Sequence, residues 1–307
     1  MFKEMKYCVK VTNECNLRCD YCFTNLGNDR MDISVIKELL AKSKGFHKVE
    51  LVIMGGEPLM VGDEYLSEIR RIVDSHIQET KQFVNISLDT NGMMLVDEHF
   101  EIFDNIRVSY DGHKLGEKGN GYIRRKIKQY GHKISVVVVV NERNYMFLQS
   151  IYDELESYGV RRMHINFDIY ASKLQLLMFK REVDKINYRK ARTRISMLDN
   201  IEAMKKAGHY SVNYDMMLGT CNLGSLFGVE PNGDIRPSLI SESKIYGNLN
   251  DFDHIIDVYS TPGYIQDSRD YIDNVSNDLI QGSFLDNMVR RNNDFRTVLN
   301  NKEALIC

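Results

Sequence analysis

Three cysteines, Cys15, Cys19 and Cys22, stand close together with three and then two residues between them. They are half of the six cysteines in this 307-residue chain. Thiolates are the usual ligands of iron-sulfur clusters, and a cubane cluster normally takes four of them. No fourth cysteine lies nearby, so the spacing predicts a cluster with one iron open to a ligand that is not protein. We expect the chemistry of the protein at that iron.

Disulfides, zinc sites and buried core thiols also bring cysteines together. A disulfide framework belongs to small, cysteine-dense proteins of oxidising compartments, whereas this chain is long and poor in cysteine. Zinc usually takes further ligands from a second Cys or His pair, and His47 and His76 do not have that spacing. The iron-sulfur interpretation therefore fits the spacing better than a disulfide or a zinc site.

The overall composition is that of an ordinary globular protein, with 43% hydrophobic and 27% charged residues. The net charge of -3 gives no sign of a polyanion partner, so we expect no nucleic acid. The amino terminus is too charged for a signal peptide, and no apolar stretch reaches membrane-spanning length. These features predict a cytoplasmic protein without membrane attachment, long enough for one large barrel or for a barrel with a small appended domain.

Predicted strands and helices alternate through the first two thirds of the chain, which indicates an α/β fold with a parallel sheet. The predicted strands cover residues 7–12, 49–54, 84–88, 106–110, 134–140 and 160–169. The predicted helices cover residues 33–46, 64–78, 96–103 and 147–158, and a long helical stretch, whole or broken, covers about 174–207. Parallel sheets assemble active sites at the carboxyl ends of their strands.

Polar motifs stand at those strand ends, and together they carry a family resemblance. They are the cysteine loop, Gly55-Gly56-Glu57-Pro58, Thr90-Asn91-Gly92 and Ser109-Tyr110-Asp111-Gly112. Each alone is explained by turn formation. In this order behind three cysteines, the set resembles the radical S-adenosylmethionine (radical SAM) enzymes over most of residues 5–170.

The resemblance implies a partial (β/α)6 TIM-like barrel that holds one [4Fe-4S] cluster on Cys15, Cys19 and Cys22. SAM would chelate the open iron, and an electron donor such as flavodoxin or ferredoxin would reduce the cluster. Cleavage of SAM would give a 5'-deoxyadenosyl radical that abstracts a hydrogen atom from substrate.

The resemblance also names candidate SAM contacts: Tyr21, Gly55, Gly56, Glu57, Pro58, Thr90, Asn91, Ser109, Asp111, and Arg124 or Arg125. Tyr21 would border the adenine, and an arginine would pair with the SAM carboxylate. Other roles stay open for some of them. Tyr21 also suits a packed core, Asp111 also suits a turn with Gly112, and an arginine on a helix is often simply solvated.

The sixth predicted strand carries polar residues at alternate positions, so His164, Asn166, Asp168 and Tyr170 share one face. In a barrel covered by helices, that face would point into the lumen and meet substrate. Asn166 and Asp168 are therefore candidate catalytic residues. The alternative is an edge strand with one wetted face.

The last hundred residues resemble a degenerate SPASM or "twitch" extension, so we predict a radical SAM barrel over residues 1–208 and a small α+β domain over 209–307. Asn232-Gly233 predicts a β-hairpin turn. That pattern expects a cysteine where Ser238 stands, and Cys8, Cys221 and Cys307 cannot complete an ordinary four-thiolate site. We therefore predict no auxiliary cluster. Cys221 is a candidate hydrogen-atom donor to a substrate radical, or else a small buried hydrophobe.

The leading functional hypothesis is epimerisation or crosslinking of a ribosomal peptide, because such extensions occur in peptide-modifying radical SAM enzymes. A leader-binding domain is not expected, since the first strand starts within about seven residues of the amino terminus. The alternative is a sugar or aminoglycoside epimerase or dehydrogenase with the same cofactors. A noncatalytic iron-sulfur or SAM-binding regulator is the alternative from another class.

Overall fold

The structure is a computed structural model that describes residues 4–22, 24–112, 116–168, 171–186, 194–197, 226–236 and 244–267. The described residues fall into two compact units. The first unit takes its residues from Met1–Cys15, Phe23–Ile86 and Tyr210–Cys307, and the second unit takes them from Asn16–Cys22 and Ser87–His209.

Strands and helices alternate through the first two thirds of the described chain as predicted, with one further helix, Gly116–Tyr130, that was not predicted. In chain order the strands are β1 (Glu4–Thr12), β2 (Lys48–Gly55), β3 (Phe83–Thr90), β4 (Asn105–Ser109), β5 (Ile134–Val140), β6 (Arg162–Phe167), β7 (Arg194–Met197), β8 (Leu226–Val229), β9 (Asp234–Arg236) and β10 (Gly247–Asn248). The helices are α1 (Ile33–Lys42), α2 (Asp63–Thr80), α3 (His99–Ile102), α4 (Gly116–Tyr130), α5 (Leu148–Ser157) and α6 (Lys173–Asp184).

In the first unit, β1 lies between β2 and β8 and runs parallel to both. One face of β1 is fully buried through Tyr7, Val9 and Val11, and the Tyr7 hydroxyl bonds Ser43 Oγ at 2.6 Å, just past the end of α1. Lys6 and Lys10 alternate with these residues and lie on the opposite face. The apolar period of two thus fixes which face of β1 meets the helix.

The carboxyl-terminal strands of the first unit begin with the predicted hairpin. β8 and β9 pair antiparallel across the turn that contains Asn232-Gly233, and β9 pairs antiparallel with β10. Gly233 has a φ of +87°, which only glycine adopts readily. The hairpin prediction is confirmed, and β8 extends the sheet next to β1.

In the second unit, the Ser87–Thr90 part of β3 pairs with β4, and β5, β6 and β7 follow, all parallel. Val136, Val138 and Val140 of β5 are fully buried, as expected for a strand covered by helices. Parallel pairing with intervening helices confirms the predicted α/β class.

Strand β6 shows the predicted alternation of polar and apolar residues. Met163 and Ile165 are fully buried on one face, whereas His164 and Asn166 lie on the other. β5 and β7 flank β6 on both sides, so the edge-strand alternative is wrong. Asp168 follows the strand, and Tyr170 lies outside the described residues.

Two predicted helices differ from the structure. The stretch predicted as helical over 174–207 contains α6 only up to Asp184, and Arg194–Met197 is a strand that pairs with β6. Alternating polar and apolar residues suit this segment to a strand, and pairing satisfies the backbone groups of β6. The helix predicted over 96–103 is only the single turn of α3. Within the described ranges, every helix is too short or too polar to cross a lipid bilayer.

Candidate active site

The loop after β1 carries the three clustered cysteines. Cys15 belongs to the first unit, and Cys19 and Cys22 belong to the second. Cys15 and Cys19 are half-buried and Cys22 is exposed, and none of them forms a disulfide among the described residues. The Cys22 amide donates to the Cys19 carbonyl at 3.0 Å, so these two residues close a tight turn.

Three thiols outside disulfides are a suitable donor set for an iron-sulfur cluster. In the described parts of the chain, however, no three side chains of His, Cys, Asp or Glu are gathered at metal-binding distance. The assignment of Cys15, Cys19 and Cys22 as ligands therefore rests on their chemistry and spacing and stays a prediction.

In the first unit, the Gly55-Gly56-Glu57 segment is hydrogen-bonded to the backbone just before Cys15. The Gly56 amide donates to the Thr12 carbonyl at 2.9 Å, and the Glu57 amide donates to the Glu14 carbonyl at 2.7 Å. A Cβ atom on Gly55 would lie 2.3 Å from Thr12 O, and one on Gly56 would lie 2.1 Å from Glu14 O. Both glycines are therefore required by the close approach of the cysteine loop.

Glu57 is fully buried and begins a short 3-10 helix, Pro58–Val61. Its Oε1 atom accepts a hydrogen bond from the Leu59 amide at 3.1 Å. Proline suits the first position of such a helix because it has no amide hydrogen to satisfy. The buried carboxylate and Pro58 thus fix the direction of the turn that follows β2.

Thr90 and Asn91 are buried at the end of β3, in the second unit. Asn91 Nδ2 donates to Asn16 Oδ1 at 2.7 Å, and Asn91 Oδ1 accepts from the Met93 amide at 2.9 Å. Thr90 Oγ1 accepts from the Gly92 amide at 3.0 Å. The motif therefore forms its own turn and also holds the cysteine loop at Asn16. Ser109 is half-buried at the end of β4.

Asp111 is fully buried and connects three parts of the second unit. One carboxylate oxygen accepts from the Val139 amide at 2.8 Å, and the other accepts from the Tyr21 hydroxyl. Its carbonyl oxygen accepts from Asn144 Nδ2 at 3.1 Å. Asp111 thus fixes the ring of Tyr21, the residue that immediately precedes Cys22.

Arg124 lies on α4 and is occupied by protein partners. Its Nε atom is 2.6 Å from the Tyr110 hydroxyl and 2.7 Å from Glu154 Oε1. Burial, followed by the nearby Glu154 carboxylate, raises the pKa of Tyr110, so its hydroxyl stays neutral and donates to Glu154 at 3.0 Å. These contacts favour a structural role for Arg124 over a contact with SAM. The Arg125 guanidinium lies 5.8 Å from the centre of the Tyr122 ring.

A cavity of about 310 Å³ lies within the second unit and adjoins the cysteine loop. Cys19, Tyr21 and Asp168 line it, and Asn166 is half-buried on β6 without lining it. Further lining residues, which the sequence did not single out, are Arg18, Asp20, Asn141, Glu142, Arg143, Ala171, Gln175 and Phe179. An ion pair between Arg143 and Asp20 joins the cysteine loop to the segment after β5.

The sequence offered only a weak signal for the charged residues of this lining, because charged residues between elements are usually solvated. Four other residues named from the sequence cannot be placed. Cys221, Ser238, Tyr170 and Cys307 lie outside the described residues.

Comparison with known proteins identifies a family for part of the chain. Residues 9–115 match the model of the Radical SAM superfamily.

The chain is 26% identical to an uncharacterized protein of Methanocaldococcus jannaschii, over 82% of this chain and 91% of that protein. It is 27% identical to the tungsten-containing aldehyde ferredoxin oxidoreductase cofactor-modifying protein of Pyrococcus furiosus, over 53% of this chain and 51% of that protein. It is also 23% identical to the radical SAM cyclopropyl synthase TigE of Paramaledivibacter caminithermalis, over 85% of this chain and 62% of the relative.

Two solved structures share the fold. A crystal structure of Streptococcus suis SuiB bound to precursor peptide SuiA superposes with a TM-score of 0.63 at 17% identity, covering 85% of this chain and 66% of SuiB. A structure of anSMEcpe with bound AdoMet superposes with a TM-score of 0.64 at 15% identity, covering 97% of this chain and 94% of anSMEcpe. The chain therefore has an α/β fold that these proteins also have.

Proposed function

Because residues 9–115 form a radical SAM domain, we propose that the chain is an enzyme that cleaves SAM at one [4Fe-4S] cluster and modifies a peptide. Cys15, Cys19 and Cys22 would hold the cluster. An electron donor such as flavodoxin or ferredoxin would supply the electron. When bound, the reduced cluster and SAM supply a 5'-deoxyadenosyl radical that removes a hydrogen atom from substrate.

The observation that carries this proposal is the backbone pairing of Gly55-Gly56-Glu57 with the residues directly before Cys15. Two hydrogen bonds of 2.9 and 2.7 Å and two glycine contacts fix the turn after β2 against the cysteine loop. A cluster ligand and a turn proposed to meet SAM are thereby positioned by one local structure.

The surrounding residues would orient SAM and keep the loop in place. Asn91 holds the loop through Asn16, and Asp111 holds the Tyr21 ring, which we propose to border the adenine. Glu57, Thr90 and Ser109 are the further proposed SAM contacts. Glu57 and Thr90 are buried, and burial around bound SAM would exclude water from a reactive intermediate.

A peptide is the proposed substrate, because SuiB binds precursor peptide SuiA and shares the fold of this chain. Epimerisation or crosslinking is the proposed modification. Asp168 lines the cavity that adjoins Cys19 and Tyr21, so we propose that it meets the substrate, together with Asn166 from the polar face of β6. Cys221 stays the proposed hydrogen-atom donor if the reaction is an epimerisation.

The first test measures iron and 5'-deoxyadenosine after anaerobic reconstitution with SAM and dithionite. We expect Cys15→Ala, Cys19→Ala and Cys22→Ala to lose both iron and product. Cys8→Ala is the matched control, because Cys8 is a half-buried thiol within β1 and should retain both. Full iron content in any of the three loop variants would contradict the ligand assignment.

The number of clusters is tested by the iron and sulfide content of the same preparation. One cubane predicts about four of each per chain, whereas an auxiliary cluster predicts about eight. For the substrate residues, Asp168→Asn should lower turnover of a peptide substrate while iron content and SAM cleavage without substrate stay normal. Asp153→Asn is its control, because Asp153 is exposed on α5 and accepts a bond from Gln149.

A further inference from the structure

Asn144 lies between β5 and α5 and is only 2% exposed, which leaves almost no surface for a ligand. Its side chain is fully used in hydrogen bonds within the second unit. Nδ2 donates to the Val139 carbonyl at 2.9 Å and to the Asp111 carbonyl at 3.1 Å, and Oδ1 accepts from the Asn141 amide at 2.9 Å. Both N–H donors and the oxygen of the side-chain amide are therefore occupied.

The partners of Asn144 fix the orientation of its amide. The Val139 and Asp111 carbonyls require a donor, whereas the Asn141 amide requires an acceptor. Exchanging Oδ1 with Nδ2 would break all three bonds. Asn141 supports the same arrangement, because its own Nδ2 atom donates to the Val139 carbonyl at 3.1 Å. Two asparagine side chains thus hold this one carbonyl group.

Val139 also connects Asn144 to the side chain of Asp111. The Val139 amide donates to Asp111 Oδ1 at 2.8 Å, while its carbonyl accepts from Asn144. With the bond from Asn144 to the Asp111 carbonyl, these contacts form a closed ring around a fully buried aspartate. The backbone and one carboxylate oxygen of Asp111 are therefore fixed, and the direction of its other oxygen, Oδ2, is fixed with them.

The Oδ2 atom of Asp111 accepts from the hydroxyl of Tyr21, the residue directly before Cys22. Tyr21 lines the cavity that adjoins the cysteine loop. Asn144, Asp111 and Tyr21 all belong to the second unit. Two successive hydrogen bonds therefore connect a buried side chain after β5 to a ring at the edge of the cavity.

We propose that Asn144 is a positioning residue for the Tyr21 ring and acts on it through Asp111. The inference rests on the proposed function, which places Tyr21 beside the adenine of SAM. A ring held in one orientation before SAM arrives loses less conformational freedom on binding, which strengthens binding. Without the donors of Asn144, Asp111 could turn and the ring would lose its fixed orientation.

A purely structural role is the alternative, because the bond to the Asn141 amide also closes the turn before α5. Asn144→Asp separates the two roles. The new carboxylate keeps an acceptor for Asn141 but has no donor for Val139 or Asp111. Asn144→Ser is the second variant and adds no charge. Ile127→Val is the matched control, since Ile127 is fully buried on α4 and has no polar side-chain atom.

The first measurement is fluorine NMR of the full-length, cluster-free chain with meta-fluorotyrosine in place of Tyr21. We expect Asn144→Asp and Asn144→Ser to move this resonance toward its position in the urea-unfolded chain, whereas Ile127→Val should leave it in place. Urea titration of each protein shows that it is folded. An unmoved resonance in a folded Asn144 variant of either kind would overturn the proposal.

The second measurement is equilibrium binding of SAM to reconstituted protein, compared at equal iron content. Asn144→Asp should weaken SAM about tenfold in the wild-type background. In the Tyr21→Phe background it should weaken SAM less than about twofold, because the hydroxyl that transmits the effect is gone. An equal loss in both backgrounds would show a general structural role and would refute the proposal.

Formation of 5'-deoxyadenosine by the wild-type holoenzyme tests the proposed function separately. If that product forms and the two backgrounds lose equal SAM affinity, only the role of Asn144 is wrong. If no product forms but the fluorine resonance moves in the Asn144 variants alone, Asn144 positions Tyr21 and the proposed function is wrong.

Discussion

Replacing Gly56 by alanine tests whether the turn after β2 is fixed by its contact with the cysteine loop. The new Cβ atom would lie 2.1 Å from Glu14 O, below the 3.0 Å that Cβ contacts essentially never undercut. The two segments must then separate by at least 0.9 Å, from 2.1 to 3.0 Å. A displacement of this size along the two hydrogen bonds would lengthen the 2.9 Å bond from Gly56 and the 2.7 Å bond from Glu57 to 3.8 and 3.6 Å, beyond hydrogen-bonding distance.

Loss of these two bonds should lower the free energy of unfolding by about 1–3 kcal/mol, at about 0.5–1.5 kcal/mol for each. The displaced loop should also bind less iron, because Cys15 directly follows Glu14. The measurements are urea denaturation of the cluster-free chain, and iron content and SAM affinity after reconstitution. SAM affinity should fall together with iron, since the open iron is its proposed anchor.

Gly27→Ala is the matched control for Gly56→Ala. Gly27 lies in the same unit, and its added Cβ would meet Asp29 Oδ2 at 3.4 Å and Asn13 Cβ at 3.7 Å, which are ordinary contacts. We expect its unfolding free energy to stay within about 0.5 kcal/mol of the wild type. A Gly56→Ala protein with wild-type stability and a full iron content would refute the reasoning.

Two further predictions concern Tyr7 of β1 and Arg124 of α4. Burial raises the pKa of the Tyr7 hydroxyl above its usual value of 10. The contribution of the neutral hydroxyl to the free energy of unfolding is therefore fully present below pH 10, and it is lost as the pH rises toward the pKa of the folded state. Tyr7→Phe should lower the free energy of unfolding by about 1 kcal/mol at neutral pH, as measured by urea denaturation. Between pH 10 and 11 the unfolding free energy of Tyr7→Phe should fall less than that of the wild type. Parallel pH profiles of the two proteins would contradict this. Arg124→Gln should leave SAM affinity unchanged, because the guanidinium already pairs with Tyr110 and Glu154. A tenfold loss of SAM affinity in equilibrium binding would instead support Arg124 as a SAM contact.

The strands were predictable because a covered parallel strand needs a continuous or alternating apolar pattern. The bounds of β5 coincide with the prediction, and β6 shows its predicted polar alternation. β7 was missed because the four residues Arg194–Met197 are too few to stand out within a helical pattern. Such a short strand forms because it pairs with the edge of β6. This tertiary contact cannot be predicted from the local sequence pattern.

Residue types in the motifs were predictable, but their partners were not. Gly55 and Gly56 were expected to admit SAM, whereas the structure shows that the cysteine loop itself requires them. Arg124 stands beside Arg125 and Lys126 in the sequence, and its pairing with Glu154 depends on how α4 and α5 pack. Lys10 Nζ pairs with Glu230 Oε2 at 3.2 Å, and the two residues are 220 positions apart, from residue 10 to residue 230, so no local spacing connects them.

The pairing of β1 with β8 has a consequence for synthesis of the chain. Val9 pairs with Val229, so one edge of β1 stays unpaired until the ribosome has made a partner strand 220 residues later. At about 5–20 residues per second, the ribosome needs about 10–45 s to supply it. An open edge of apolar strand is a template for wrong pairing throughout that interval. Expression at lower temperature or with chaperones should therefore raise the yield of soluble chain, whether or not iron is bound.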